Sequence, residues 1–123
     1  MAAFEDHLVD LVKNSDVATD SQVAATATAT LAAVANRCNV PCKIDASYST
    51  SGGAQSGLLT VNITTVAGVR AITKYIHGAG AIDFGIVGLQ SIANSAVTAV
   101  LAAGAGGVTG TVALTYYTTG PSA

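Results

Sequence analysis

The sequence predicts an α+β fold, in which amino-terminal helices precede a small antiparallel β-sheet and one long amphipathic helix leads into the last strand. Three observations predict it. Apolar residues recur at helical spacing before residue 40, alternate with polar residues after residue 42, and return to helical spacing over residues 86–103. Strands and helices alternate too seldom for a doubly wound parallel sheet. A chain of 123 residues is long enough for one modest core.

The first predicted helix spans residues 3–13. Glu5 and Asp6 lie in its first turn, where acidic side chains favour the positive end of the helix dipole. A polar run follows, so we divide the chain into an acidic amino-terminal helical segment, residues 1–20, and a single α+β domain, residues 21–123. The apolar stripe of the first helix consists of Phe4, Leu8, Leu11 and Val12.

The second predicted helix spans residues 21–37 and is rich in alanine. Thr19 and Gln22 have the spacing of a capping box at its start. The alternation of alanine and threonine over residues 25–30 also fits a strand. Because alanine is the best helix former and a poor strand former, we favour a helix, which Pro41 would close.

Period-two patterns predict the strands. Residues 43–50 and 58–66 alternate apolar and polar side chains, and the Gly/Ser-rich loop between them predicts an antiparallel hairpin. Residues 69–77 fit a helix by apolar spacing and a strand by their Val, Ile, Thr and Tyr content; we favour a strand, entered by a tight turn at residues 67–68. Residues 108–118 alternate again and predict the last strand.

The long amphipathic helix is predicted over residues 86–103. Apolar side chains form a stripe on one side of this helix, and uncharged polar side chains lie on the other side. Gly104 follows in the position of a helix C-cap. The polar residues interrupt the apolar run too often for a segment that spans a bilayer. The polar face also lacks the Lys and Arg typical of a helix attracted to anionic lipid.

The composition is unusually poor in charge. Charged residues make up 10% of the chain, against about a quarter in an ordinary soluble domain. A surface so neutral tends to associate, so we expect it to be covered by further copies of the chain or by a partner. Five of the seven carboxylates lie in residues 1–20, where Lys13 is the one basic residue. The chain has no basic patch with interleaved aromatic residues, so nucleic-acid binding is not expected.

One glycine-rich stretch, HGAGAIDFGIVG at residues 77–88, could be mistaken for a catalytic loop. Asp83 stands where a dinucleotide fingerprint needs its third glycine, and no lysine follows to make a phosphate-binding loop. We interpret His77 as a surface histidine at a strand end and Asp83 as a cap or turn residue. The stretch is predicted to be a hinge between sheet and helix. We predict no catalytic, cofactor-binding or metal-binding residue and no enzymatic activity.

The two cysteines, Cys38 and Cys42, are too few for a structural zinc site. A disulfide across so short a loop is geometrically feasible but strained, and the spacing is not that of a thioredoxin-like redox motif. Two idle thiols, a local disulfide and a redox or metal role all stay open, with idle thiols favoured.

In its Thr/Ala/Gly-rich alternation, the chain resembles small bacteriophage virion structural proteins, of the capsid decoration (cement), head-fibre or tail type. The stretches that carry this likeness are VAATATATLAAVAN, residues 23–36, and GGVTGTVALTYYTTG, residues 106–120. The resemblance implies a symmetric homo-oligomer, a trimer in many cases, bound to a larger shell or tail. It assigns no functional residue.

These observations lead to a functional prediction: a non-enzymatic virion structural protein that decorates or stabilises a capsid or tail. Its expected partners are copies of itself and a major capsid or tail protein, with no membrane. It is expected to assemble in the bacterial host cytoplasm, since residues 1–20 lack a signal-peptide pattern. The alternatives are a small bacterial assembly or ligand-binding module and a membrane-active domain. The candidate partner contacts are Phe4, Leu8, Leu11, Val12, Tyr116 and Tyr117.

Overall fold

A computed structural model describes residues 16–49, 55–85 and 88–119, and these residues fold into antiparallel β-strands without a helix. The predicted α+β class is therefore wrong, and the described part of the chain is all-β. The strands are β1 (Asp16–Val23), β2 (Ala27–Leu31), β3 (Asn39–Tyr48), β4 (Ser56–Thr65), β5 (Gly68–His77), β6 (Ala79–Asp83), β7 (Val97–Leu101) and β8 (Thr109–Thr118).

The strand order is β1-β8-β3-β6-β5-β4-β7-β2. A single residue pair, His77 with Ala79, joins β5 to β6. The order therefore divides into a first sheet, β1-β8-β3-β6, and a second sheet, β2-β7-β4-β5. Strands from both halves of the chain alternate within each sheet, and this is the strand order of an eight-stranded jelly roll made of two sheets.

One core lies between the two sheets. Alternate residues are buried in β2, β4, β7, β8 and the second half of β3, and the buried residues of both sheets form a single apolar cluster, so the sheets face each other. In the first sheet Ile44 lies opposite Leu114, and in the second Leu59 lies opposite Leu101. All four are fully buried. Burying an aliphatic side chain of this size stabilises the fold by about 1.5–3 kcal/mol.

The predicted helix over residues 21–37 is replaced by the end of β1 and by β2. In β2 the side chains of Ala27, Ala29 and Leu31 are buried, and the two threonines between them are exposed. The alternation of alanine and threonine therefore indicates the correct structure here, although alanine's helix propensity favours a helix. Burial of one face against β7 and the facing sheet outweighs a propensity difference of well under 1 kcal/mol per residue.

The predicted helix over residues 86–103 is wrong as well, and Gly104 is not a helix cap. Residues 88–96 form no regular element beyond an isolated bridge between Cys38 and Ala93, and the following residues form β7. In β7 the burial alternates strictly, with Val97, Ala99 and Leu101 inside. Apolar residues four apart satisfy both a helical and an alternating pattern, so this stretch fitted both.

The strands predicted over residues 43–50 and 58–66 exist as β3 and β4, but they do not form a hairpin. β3 lies between β8 and β6 in the first sheet, whereas β4 lies between β5 and β7 in the second. The strand at residues 69–77 is confirmed as β5 and the last strand as β8. The turn before β5 lies at residues 66–67, one residue earlier than predicted, and Gly68 belongs to the strand. The helix predicted over residues 3–13 lies outside the described residues, and β1 begins at Asp16.

Candidate functional site

The outer face of the second sheet carries no charged side chain in the part of the chain that the structure describes. Alternate residues of its four strands point away from the core, and none is Asp, Glu, Lys or Arg. We call this surface the neutral face. Its residues on the four strands are Thr28, Thr30, Ser56, Leu58, Thr60, Asn62, Thr64, Val69, Ala71, Thr73, Tyr75, His77, Thr98 and Val100.

The strand register arranges the neutral face in rows. Thr73, Thr60, Val100 and Thr28 lie directly opposite one another across β5, β4, β7 and β2. Short β-branched side chains in register make a low, even surface, and they lose little rotamer entropy when a partner covers them.

Large apolar side chains are exposed on the part of the neutral face that β4, β5 and their connecting turn form. Leu58 is 41% exposed, Tyr75 60% and Val69 82%, and Val66 in the turn that joins the strands is 98% exposed. Absence of charge together with exposed aromatic and aliphatic side chains is the composition of an interface centre.

The outer face of the first sheet differs because it carries ionised groups. Lys43 and Asp45 lie on β3 with their charged atoms 3.6 Å apart, and Asp83 lies next to Lys43 on β6. A shallow depression of about 510 Å³ on this face is lined chiefly by Ala and Gly, with Asp45 as its charged group.

The structure separates the two residues of the glycine-rich stretch that could have served catalysis. The His77 Nδ1 lies 2.8 Å from the Ser56 Oγ, and its ring stands 5.6 Å from the Tyr75 ring. Asp83 lies at the far end of β6 and accepts a hydrogen bond from the Gly85 N–H, at 2.7 Å. His77 is an exposed strand-end histidine, as predicted. Asp83 was predicted as a cap or turn residue; it is the last residue of β6, and its carboxylate binds the backbone of the turn that follows. No sequence pattern links Ser56 to His77, because only the β4–β5 register brings the two residues opposite each other.

The hinge predicted for this stretch joins two strands and not a sheet and a helix. Gly78, between β5 and β6, has a φ of 73°, and Gly85 and Gly88 have φ values of 81° and 76°. Glycine adopts these left-handed conformations without the steric cost that a Cβ brings. The connection between the two sheets therefore depends on Gly78.

The two cysteines are not joined by a disulfide. Both are half-buried in or beside β3, and the extended backbone between them places their side chains too far apart for one. Burial raises the pKa of the Cys42 thiol, and the nearby negative charge of Asp83 raises it further. A thiol with a raised pKa is a weak nucleophile at neutral pH.

The predicted partner contacts fall into two groups. Tyr117 is 8% exposed in a small cluster with Val40, and Tyr116 is half-buried against the main core. Most of the apolar surface of both side chains is therefore buried within the chain. Their part in partner binding stays a prediction. The remaining four lie outside the described residues: Phe4, Leu8, Leu11 and Val12.

Two further findings on the described residues concern metal binding and membrane-spanning helices. These residues contain no group of three or more His, Cys, Asp or Glu side chains arranged to hold a metal ion. Within the same ranges, no helix has the length and apolar character needed to cross a membrane.

No protein-family model matches the chain, and no curated protein matches it. Among solved structures, the chain overlaps one from a crystal structure of the infectious bursal disease virus particle, with a TM-score of 0.30, 12% identity and coverage of 85% of this chain and 31% of the other. A second overlap is with the Gt strain of the same virus, with a TM-score of 0.26, 16% identity and coverage of 82% and 32%. The chain thus spans about a third of the viral chains that it matches. These scores are too low to define a common fold, so the jelly-roll assignment rests on the strand order.

Proposed function

We propose that the protein is a non-enzymatic structural component of a virion, which packs against neighbouring protein subunits through its neutral face. The observation that carries this proposal is the absence of charge from the outward positions of all four strands of the second sheet, next to a first sheet that does carry charge. A sheet face meant for water is normally rich in charged side chains. A face meant for a permanent protein contact is depleted of them.

The fold is compatible with this role without requiring it. Jelly rolls occur in viral capsid proteins, but also in lectins and cupins, so the function has to come from the surface and not from the fold. Lectin and cupin chemistry uses a polar or metal-binding pocket. The described residues contain no group of three or more His, Cys, Asp or Glu side chains that could hold a metal ion, and the depression beside Asp45 is lined chiefly by Ala and Gly.

In its more specific form, the proposal is a decoration protein that stabilises a bacteriophage capsid or tail as a homo-oligomer. The resemblance to small bacteriophage virion proteins implies a trimer. Its partner is then the major capsid or tail protein. Low charge and short side chains support permanent packing, because such surfaces lose little solvation and little side-chain entropy on contact.

Charge introduced into the neutral face tests the proposal. Asn62→Glu and Thr30→Glu each place a carboxylate on an exposed outward position, in β4 and β2. We expect both variants to fold with an unchanged unfolding midpoint and to be lost from purified virus particles, in which the unmodified chain is detected by mass spectrometry. Burial of an unpaired carboxylate in an interface is strongly unfavourable.

The matched control is Thr19→Glu, which places the same charge on an exposed outward position of β1 in the first sheet. This variant should be incorporated like the unmodified chain. Absence of the unmodified chain from particles, or equal incorporation of all the variants, contradicts the proposal.

A further inference from the structure

In the part of the chain that the structure describes, one edge of the second sheet has almost no strand partner. β5 pairs along its whole length with β4, but on its other side the described residues pair with it only where His77 meets Ala79. The backbone groups of residues 68–76 on that side therefore have no ladder partner in the described residues. A free edge of this length is a template for one further strand.

The core-facing side of this edge has a distinct pattern. Arg70, Ile72 and Lys74 lie opposite the buried Ile63, Val61 and Leu59 of β4, so they point to the core side of the sheet. β6 diverges from β5 and leaves this side open, and Arg70 and Lys74 are exposed although they point inward. On this side of β5, every second residue from Arg70 to Ile76 is thus basic, apolar, basic and apolar in turn.

The two basic groups are available for a charged partner. Among the described residues the Arg70 guanidinium has no ion pair, and the Lys74 Nζ donates a hydrogen bond to the neutral carbonyl of Ala81, at 2.8 Å. A carboxylate is a stronger acceptor than a carbonyl for either cation. Two cations four residues apart also disfavour pairing of this edge with another β5, because like charges would come close together.

The segment before β1 carries the complementary pattern. Read at period two, residues 4–12 are Phe4, Asp6, Leu8, Asp10 and Val12: apolar, acidic, apolar, acidic, apolar. Asp6 and Asp10 are four residues apart, as are Arg70 and Lys74, and at period two one aliphatic residue lies between the members of each pair, Leu8 in the first and Ile72 in the second. The same apolar residues fit a helical stripe, but twice in this chain, in β2 and β7, such an ambiguous pattern belongs to a strand.

We propose that residues 4–12 of a second copy of this chain add as a strand to the free edge of β5. In the antiparallel direction Asp6 lies opposite Lys74, Leu8 opposite Ile72 and Asp10 opposite Arg70; in the parallel direction the two acids exchange partners. Either arrangement satisfies the open backbone groups, covers the partly exposed Ile72 and pairs both cations.

Residues 4–12 cannot reach the edge of β5 in their own copy of the chain, because the connection to β1 is too short. Val12 is joined to Asp16, the first residue of β1, by four residue steps, which span at most about 14 Å. β1 is the edge strand of the first sheet that lies beside β2, whereas β5 is the edge strand at the opposite end of the second sheet. Three strand spacings of about 4.8 Å and a sheet separation of about 10 Å place them roughly 17 Å apart. The segment must therefore come from a neighbour, and each copy gives one strand and accepts one, as in a reciprocal dimer or a closed ring.

This inference deepens the proposed function, since it names how copies of the chain associate, and a charge exchange tests it. One variant is Asp6→Lys with Asp10→Lys, and the other is Arg70→Glu with Lys74→Glu. Measured by light scattering on a sizing column, each variant alone should lose self-association by about tenfold or more, because like charges then face each other. An equimolar mixture of the two should associate again, and so should a single chain with all four substitutions.

The control exchanges charges elsewhere: Lys43→Glu with Asp45→Lys reverses the exposed ion pair on β3 and should associate like the unmodified chain. A shortened chain that begins at residue 13 should be monomeric yet keep the unfolding midpoint of the fold. The inference is overturned if the unmodified chain is monomeric, if the two double variants associate normally, or if their mixture fails to recover. When association persists in both double variants but incorporation into particles is lost in Asn62→Glu, the proposed function stands and this inference falls.

Discussion

The carboxylate of Asp20 accepts a hydrogen bond from the backbone N–H of Thr28, at 2.8 Å, and so joins β1 of the first sheet to β2 of the second. Its other oxygen accepts a bond from the Gln22 side chain, at 3.1 Å. β1 and β2 are the outermost strands of their sheets. This one side chain therefore satisfies a backbone donor on an open edge and ties the two sheets together on that side.

The stability of the fold should depend on the ionisation of Asp20. The hydrogen bond from Thr28, and then that from Gln22, lowers the pKa of this carboxyl group, because both bonds stabilise its charged form. A lowered folded-state pKa means that its contribution is fully present above about pH 4, the ordinary value for an aspartate, and is lost as the pH falls through the lower value.

Asp20→Asn removes this ionisation. Denaturant unfolding measured at a series of acidic pH values should show a weaker loss of the free energy of unfolding than in the unmodified chain. Asp45→Asn, which removes a carboxylate from the exposed face of β3, is the matched control and should retain the loss that Asp20 causes. An identical pH profile for Asp20→Asn and the unmodified chain would contradict the assignment.

Asn39 should be the most costly polar residue to truncate in the described fold. Its side chain is buried and its Nδ2 donates to the carbonyls of Ala32, at 3.1 Å, and Ser95, at 2.9 Å. Asn39→Ala leaves two acceptors without their donor and should lower the free energy of unfolding by about 2–3 kcal/mol. Urea unfolding measures this change. Asn62→Ala, on the exposed neutral face, should change it by less than about 0.5 kcal/mol.

Tyr48 and Gly57 should be energetically coupled. The Tyr48 hydroxyl donates to the Ala102 carbonyl, at 2.7 Å, and a Cβ on Gly57 would overlap that hydroxyl. Tyr48→Phe should cost about 1–2 kcal/mol for the lost bond, and Gly57→Ala about 1–3 kcal/mol for the overlap. In the double variant the nearest clashing atom is gone, so the loss should be smaller than the sum. Strictly additive losses in a double-mutant cycle would refute the predicted overlap.

Cys42 should react slowly while the chain is folded. Burial and the charge of Asp83 raise its pKa, which lowers the thiolate fraction that attacks an alkylating reagent. In a Cys38→Ala variant, iodoacetamide labelling followed by mass spectrometry should be markedly slower in buffer than in denaturant. Equal rates would show that neither burial nor charge protects the thiol. The intact mass of the unmodified chain should correspond to two unbridged thiols.

The strands that the sequence predicted correctly share one property. β3, β4, β5 and β8 are ten residues long and rich in branched or aromatic residues. In β3, β4 and β8 the period-two pattern is also visible without reference to the rest of the fold, whereas β5 is recognised by its composition alone. β2 and β7 are five residues long and contain alanine, valine, leucine and threonine at spacings that a helix also produces. Too few alternations fit into such a strand for the pattern to decide.

The candidate surface was visible in the sequence only as a deficit of charge. That deficit does not locate the surface, because the residues of the neutral face come from four separate stretches of the chain. The register of Thr73, Thr60, Val100 and Thr28 places them in one row. Sequence proximity could not have grouped them.

By itself, the sequence determined the low charge, the concentration of acids before residue 21, the absence of a phosphate-binding loop and the positions of the long strands. The tertiary structure decided that the described part of the chain is all-β, that β3 and β4 belong to different sheets, and that β5 has an edge without a ladder partner among the described residues, with inward-pointing cations. The physical reason is that periodicity along a strand depends on one buried face, which each segment records locally. Partners and edges depend on contacts between segments far apart in the chain, and no local pattern records those.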